Sequence, residues 1–244
     1  MSKFFKLFTI LTLFGLLLAP FGRVSAQESG PFEKKIPLRS TGYNPDLSQE
    51  NTIPGASDVL AITGNLVHDP SFEASVGSQT FWGQASTNYG TPLCDAACGT
   101  GNGTAGPRTG NVWIWFGGVN FSAPGAISPE EGQVWQNVAF PSCGATLQFY
   151  FWIGQAPTGS DANDYFLAAL DGTVIFSADA TEASSYSSYT LVSLDVSSYA
   201  DGGVHLLQFY SNTSGQIVNF NLDDIFLIGN CPLFLVMRES LAQP

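Results

Sequence analysis

The chain has 244 residues and a formal net charge of −12 at pH 7, with 20 acidic side chains against 8 Lys and Arg. Between residues 60 and 231 the imbalance is steeper, because Arg108 is the only Lys or Arg there beside fourteen Asp and Glu. This charge disfavours nucleic acid as a partner. It suits hard cations or neutral ligands.

The first 26 residues have the pattern of a secretory signal peptide. Lys3 and Lys6 precede an apolar run from Leu7 to Leu18, and Pro20 and the triplet Val24-Ser25-Ala26 follow it. The apolar run has about a dozen residues, whereas a helix needs roughly 18 to 20 to span a membrane. We therefore expect residues 1–26 to be a leader and the protein to be secreted and extracellular, with no membrane insertion.

The texture of the sequence changes near residue 60. Residues 27–59 are polar and contain four prolines, which predicts a flexible linker. From Leu60 to residue 232, short β-branched and aromatic runs alternate with Gly, Pro, Asn, Asp and Ser clusters, a pattern typical of a β-sandwich or barrel. Residues 233–244 are a C-terminal tail. The predicted strands are 65–73, 79–84, 111–117, 132–140, 145–153, 164–170, 173–178, 188–195, 203–210 and 217–228.

Two connections between these strands have a distinct composition. The pair Asp171-Gly172 favours a type I′ turn, in which both central residues have positive φ, and this predicts a hairpin between the sixth and seventh strands. The stretch from Ala85 to Gly110 is rich in Gly, Thr and Asn, which predicts a long loop rather than sheet. Long loops on β-sandwiches often carry binding groups.

Four cysteines, at positions 94, 98, 143 and 231, favour disulfides in an exported protein, and three pairings are open. Cys94 and Cys98 could close a small loop, which would leave Cys143 with Cys231. Cys143 precedes one predicted strand and Cys231 follows another, so an antiparallel pairing of these strands would bring the two sulfurs together. A zinc site is the rival interpretation, but the spacing fits no zinc ribbon or finger.

Four short motifs together suggest a family. They are Asn65 to Glu73, Ala145 to Phe149, Leu170-Asp171-Gly172, and Phe220 to Ile225. In these motifs the chain resembles the jelly-roll carbohydrate-binding modules of the galactose-binding-domain-like superfamily, over nearly the whole folded part. The resemblance implies an all-β antiparallel jelly-roll sandwich, and it implies a structural calcium ion held by Glu73 and Asp223. The chain departs from a bare module in its cysteine-bearing loop and its tail.

Strand periodicity places most of the tryptophans on one side of the predicted strands. Residues 145–153 divide into a core face with Leu147 and Phe149 and a second face with amides and large aromatic rings. A sugar offers an apolar face of C–H bonds and a polar rim, so a flat aromatic ring flanked by amides suits it. The alternative is that these rings pack under loops or in a doubly buried strand. The candidate ligand-binding residues are Trp113, Trp115, Trp135, Gln148, Tyr150 and Trp152.

Three functions remain open. The first is a non-catalytic protein that binds a glycan or polysaccharide, the second is an extracellular surface or matrix interaction protein of the same fold, and the third is a glycoside hydrolase. The sequence contains no nucleophile elbow, zinc-binding His pair or phosphate loop. The alternation of residues 204–210 makes His205 a core or edge histidine. We therefore predict no enzymatic activity.

Overall fold

In a computed structural model of the chain, residues 64–75, 81–117, 129–214 and 217–231 are described. The predicted signal peptide, linker and tail lie outside them. Ten strands and three short 3-10 helices follow one another, and the described residues contain no helix long and apolar enough to cross a membrane. The strands are β1 Gly83–Ser86, β2 Leu93–Cys94, β3 Trp113–Gly117, β4 Glu130–Ala139, β5 Ala145–Gln155, β6 Tyr165–Leu170, β7 Thr173–Asp179, β8 Thr190–Asp195, β9 Val204–Thr213 and β10 Asn219–Gly229.

The strands form two five-stranded sheets, and every strand pairing is antiparallel. Sheet I has the order β1-β4-β9-β6-β7, and sheet II has the order β2-β3-β10-β5-β8. The predicted fold class, an antiparallel jelly-roll β-sandwich, is confirmed. Strand β10 lies at the centre of sheet II, between β3 and β5.

Phenylalanine fills the space between the sheets. Phe149 and Phe151 of β5 point inward with Phe166 of β6, Phe209 of β9 and Phe220 of β10, and all five are fully buried. The Phe151 and Phe166 rings stack at 4.4 Å, and Phe149 meets Phe209 edge-on at 5.2 Å. This is the core face that alternation in residues 145–153 predicts. The residues between them therefore face outward from sheet II.

The predicted hairpin is confirmed, because Asp171 and Gly172 have φ values of 49° and 78° and Leu170 pairs with Thr173. The predicted strand at 65–73 is wrong. Only Asn65 forms a bridge, to Ile228. Asp69 and Phe72 have positive φ, and the Asp69 carboxylate accepts hydrogen bonds from Ala74 and Ser75, so the chain turns instead of extending.

Two further predictions need adjustment. The strand predicted at 79–84 lies partly outside the described residues, and the strand found there runs from Gly83 to Ser86. The predicted long loop is interrupted by the two-residue strand β2, which pairs with β3, and by the 3-10 helix Ala96–Cys98. Cys94 therefore lies in β2, and Cys98 is the last residue of the 3-10 helix that follows it.

The structure joins Cys94 to Cys98 and Cys143 to Cys231, with Cα–Cα distances of 5.7 and 4.9 Å. Ala145 pairs with Gly229, so the start of β5 lies beside the end of β10 and the cysteines that flank them meet. This is the antiparallel arrangement that the sequence suggests. One disulfide therefore links distant parts of the chain, and the other closes a local loop.

The two disulfides should differ in their contribution to stability. Cys143 and Cys231 are 88 positions apart and Cys94 and Cys98 only 4. In the chain-entropy model the long loop contributes about 4 to 5 kcal/mol and the short one about 2 kcal/mol. We expect Cys143→Ser with Cys231→Ser to reduce the free energy of unfolding more than Cys94→Ser with Cys98→Ser, as measured by urea denaturation. An equal loss in the two double variants would contradict this assignment.

Candidate functional site

The outward face of sheet II is organised around β10. Asn221 of β10 lies between Trp115 of β3 and Trp152 of β5 in the strand register. Asn219 and Asp223 follow at two-residue intervals along β10, and Asp223 lies opposite Tyr150 of β5. Alternation places these side chains on one face. The centre of that face therefore carries amides and a carboxylate between aromatic rings.

A loop covers much of this face. We call residues 99–110 the roof loop. Asn221 Nδ2 donates to the carbonyl oxygen of Thr104 at 3.1 Å, and Asn219 Nδ2 donates to Thr104 Oγ1 at 2.7 Å. The hydroxyl of Tyr189 donates to the carbonyl oxygen of Gly106 at 2.7 Å. The amides of β10 thus hold the roof loop onto the sheet.

Arg108 fixes the far end of the roof loop. Its guanidinium forms an ion pair with Asp224 at 2.5 Å and lies 3.4 Å above the centre of the Tyr150 ring. The main-chain N–H groups of Arg108 and Thr109 both donate to Asp223 Oδ2, at 2.7 and 3.1 Å. The only Lys or Arg between residues 60 and 231 is therefore already paired with other groups of the protein.

The two adjacent acids of β10 differ in their ionisation. Burial raises the pKa of Asp223 to about 7, although the amides of Thr109 and Arg108 oppose this shift. Burial also acts to raise the pKa of Asp224, but hydrogen bonds from Ser71, Thr109 and Arg108 outweigh it and lower that pKa. Asp224 is thus the anion that pairs with Arg108. Asp223 carries a charge only near and above neutral pH.

The structure brings some of the predicted ligand-binding residues together and separates others. Trp113, Trp115, Gln148, Tyr150 and Trp152 lie on β3 and β5 of sheet II. Trp113 is 1% exposed. Arg108 lies over Tyr150, the ring of Trp152 contacts that of Tyr189 at 5.5 Å, and Gln148 donates to Ser193 Oγ at 3.2 Å. Trp113 is therefore buried and not available on an exposed face.

One placement differs from the sequence prediction. Trp135 lies on β4 of sheet I, where it packs against Gly83, so the six candidates do not share one face. Alternation within a strand tells which side chains point the same way. It does not tell to which sheet the strand belongs, because both sheets of a sandwich have an outward face.

A cavity remains open beside the first residues of the roof loop. Its volume is about 460 Å³. Strand β2 and the residues before it form one wall, Cys98 and the roof loop form another, and the ends of β3, β5 and β10 form the floor. The lining residues are Tyr89, Thr91, Leu93, Cys94, Cys98, Gly101, Asn102, Trp115, Gly117, Gln155, Ile217 and Asn219.

A buried carboxylate holds the turn that presents Tyr89 to the cavity. Glu130 of β4 is 3% exposed, and it accepts hydrogen bonds from Ser86 Oγ and from the main-chain N–H groups of Thr87 and Asn88. The N–H of Tyr89 then donates to Ser86 Oγ at 2.9 Å. Tyr89 itself is 44% exposed. Burial and, after it, the Glu130 carboxylate raise the pKa of Tyr89, so its hydroxyl is neutral at physiological pH.

Two residues of the cavity floor, Trp115 and Asn219, each have one buried polar atom that forms no hydrogen bond with the described residues. Trp115 Nε1 and Asn219 Oδ1 are buried without a partner in the part of the chain that the structure describes. A buried polar atom without a partner costs about 1 to 3 kcal/mol. The amide of Asn219 is oriented by its bond to Thr104.

Of the lining residues, sequence patterns identified Trp115 as a ligand-binding candidate and Cys94 and Cys98 as disulfide cysteines, and they identified none of the others. Tyr89, Thr91 and Asn102 belong to the region predicted as a binding loop, so its composition was the available signal. Gln155 and Asn219 are strand-end amides, and nothing in their local sequence distinguishes them from ordinary surface residues.

The similarity of this chain to known proteins is limited to its fold. No protein-family model matches the chain, and no curated protein is similar to it in sequence. Similar solved structures include TmCBM61 in complex with beta-1,4-galactotriose, at 11% identity and a TM-score of 0.47, covering 68% of this chain and 98% of that one. A cleaved adhesin domain of Lys-gingipain from Porphyromonas gingivalis has 15% identity, a TM-score of 0.42, and coverage of 66% and 96%. Family 16 Carbohydrate Binding Module-2 has 14% identity, a TM-score of 0.39, and coverage of 67% and 99%.

The residues predicted to hold calcium bind the protein chain. Glu73 Oε1 accepts from the main-chain N–H groups of Asn111 and Val112, each at 2.8 Å, and Asp223 accepts from Arg108 and Thr109. Within the described ranges, no three or more Asp, Glu, His or Cys side chains come together as a metal site. Calcium prefers six to eight oxygen ligands. The groups that contact these two carboxylates are main-chain N–H groups, which cannot bind calcium. Calcium at Glu73 and Asp223 stays a prediction.

Calcium should act on stability if Glu73 and Asp223 bind it. An ion that binds only the folded state adds about 2.7 kcal/mol at a concentration of a hundred times its dissociation constant. We expect calcium to raise the melting temperature and a chelator to reverse the rise, as followed by circular dichroism. Glu73→Gln should abolish the effect, whereas Glu182→Gln, which lies in a 3-10 helix, should preserve it. A melting temperature that neither calcium nor chelator changes would contradict the prediction.

The close fit between the roof loop and sheet II can be tested at Gly154. A methyl group at this position would clash with the carbonyl oxygen of Thr104. We expect Gly154→Ala to displace the roof loop, with a loss of about 1 to 3 kcal/mol in stability, as for other overpacked sites. Acrylamide quenching of tryptophan fluorescence should increase. Gly64→Ala is the matched control, since no atom lies within 4 Å of its added methyl group; equal behaviour of the two variants would show that the fit is loose.

Proposed function

We propose that this protein is a secreted, non-catalytic carbohydrate-binding protein, with a structural calcium, and that it holds its ligand in the cavity between β2 and the roof loop. The observation that carries the proposal is the lining of the cavity. It places the aromatic rings of Tyr89 and Trp115 beside the amides of Asn102, Gln155 and Asn219. Aromatic rings match the C–H face of a sugar, and amides match its hydroxyl groups.

The size of the cavity agrees with this function. Binding sites for small molecules usually occupy about 300 to 1,000 Å³ and combine apolar walls with a few oriented polar groups. The volume of about 460 Å³ lies in this range. The main chain at Tyr89 is held by its turn and the amide of Asn219 by Thr104, so the Tyr89 backbone and the Asn219 amide are positioned before a ligand arrives. Such preorganisation reduces the entropy lost on binding.

The same lining argues against hydrolysis in this cavity. Glycoside hydrolysis usually requires two carboxyl groups on either side of the scissile bond. No Asp or Glu occurs among the described residues that line the cavity. His205 lies on β9 of sheet I, where its ring nitrogens contact Asp171 at 2.7 Å and Asp201 at 3.1 Å. It therefore connects two turns, as expected of an edge histidine.

Alanine substitution of Tyr89 tests the proposal. Tyr89→Ala removes a half-exposed ring from the cavity wall, and aromatic contacts contribute about 0.5 to 1.5 kcal/mol beyond area burial. A glycan array first identifies the glycans that the wild-type protein retains. In calorimetry, we expect Tyr89→Ala to bind these glycans about 2- to 12-fold more weakly than the wild-type protein does. The melting temperature should stay within a few degrees.

Phe81→Ala is the matched control, because Phe81 is 47% exposed and does not line the cavity. Equal loss of binding in the two variants would place the site elsewhere. A folded wild-type protein that retains no glycan with or without calcium would overturn the proposal, in favour of a surface or matrix interaction protein of the same fold.

A further inference from the structure

The cavity differs from the rest of the molecule in its charge. From residue 60 to residue 231 the chain has fourteen Asp and Glu and only one Lys or Arg. None of the cavity-lining residues within the described ranges is charged, since all twelve are aromatic, aliphatic, hydroxyl, amide, glycine or disulfide residues. A neutral cavity thus opens on a strongly acidic domain.

Among the residues that the structure describes, Arg108 is the only Lys or Arg, and it is not free to neutralise an anionic ligand there. Arg108 is bound to Asp224 at 2.5 Å and covers the ring of Tyr150 at 3.4 Å. Freeing it would leave Asp224, which is 3% exposed, as a buried charge without its partner. That loss is costly, because breaking a buried ion pair leaves an uncompensated charge. Arg108 therefore stays paired with Asp224 and stacked on Tyr150.

We propose that the cavity selects uncharged sugars and rejects both uronic acids and free amino sugars. This inference rests on the proposed carbohydrate-binding function. A charged group that enters a cavity without a partner loses its hydration, which is unfavourable for either sign. Anions also meet the repulsion of the acidic domain. For amines the attraction of distant carboxylates is weakened by salt beyond about 8 Å, and no carboxylate lines the cavity to replace the lost water.

Gln155 is a suitable position at which to change this preference. It ends β5 at the cavity floor, and its Oε1 lies 3.5 Å from both Asn219 Nδ2 and Thr104 Oγ1. These contacts are long, so Gln155 contributes little to holding the roof loop. Gln155→Lys would add one positive charge to the cavity while keeping an extended side chain of similar length.

The experiment uses three neutral trisaccharides, namely cellotriose, galactotriose and N-acetylchitotriose. Each hexose is paired with its uronate, and N-acetylchitotriose with its de-N-acetylated amine. At 0.15 M salt we expect the full-length secreted protein to bind the charged partner at least tenfold more weakly than the neutral sugar that it retains. A uronate or amine bound as tightly as its neutral partner overturns the inference and leaves the proposed function intact. Retention of none of the sugars overturns the proposed function and this inference with it.

Two lysine variants separate local charge from net charge. Gln155→Lys should reduce the discrimination against uronates at least threefold. Val204→Lys adds the same charge on β9 of sheet I, at a side chain that is 64% exposed, and should leave the discrimination unchanged. If Gln155→Lys fails to fold, Asn102→Lys on the roof loop repeats the test. Equal effects of the cavity variant and Val204→Lys would show that net charge alone sets the preference, which overturns the role assigned to the cavity.

Discussion

The candidate site depends on the hydrogen bonds and the ion pair by which β10 holds the roof loop. Asp223 accepts two main-chain hydrogen bonds from residues 108 and 109, and Asp224 holds the guanidinium of Arg108. Both carboxylates are buried, so they need these donors, and the roof loop needs them in turn because it forms almost no regular structure of its own. These contacts keep the roof loop on sheet II, and the roof loop in turn forms one wall of the cavity.

The roof loop changes what an aromatic sheet face can do. A bare face with Trp113, Trp115, Tyr150 and Trp152 would offer an extended flat surface. In the structure Trp113 is buried, Arg108 of the roof loop covers Tyr150, and Trp115 lies at the floor of a bounded cavity. A ligand bound there would contact walls as well as a floor, and Tyr89 adds an aromatic ring that belongs to neither β3 nor β5.

Local sequence predicted the features that depend on neighbouring residues. Alternation identified the core face of β5, and Asp171-Gly172 identified a turn with two positive φ angles. The features that local sequence did not predict depend on distant residues. The turn at Asp69 and Phe72 is held by Trp82 Nε1 and the N–H of Ile225, which donate to the carbonyl oxygens of Asp69 and Pro70. Trp135 has the same outward alternation as Trp115 but belongs to the opposite sheet. Tyr89 is placed by Glu130, whose role appears only once β4 lies beside the turn.

The isolation of Arg108 has a consequence for proteolysis. Trypsin cleaves after Lys and Arg, and between residues 60 and 231 the chain offers it this one side chain. The next residue, Thr109, donates its N–H to Asp223 and its hydroxyl to Asp224 at 2.7 Å, so the scissile bond is tied down on both sides. A protease must wait until this segment detaches. The rate of tryptic cutting inside the domain is thus a direct measure of how often the roof loop leaves the sheet.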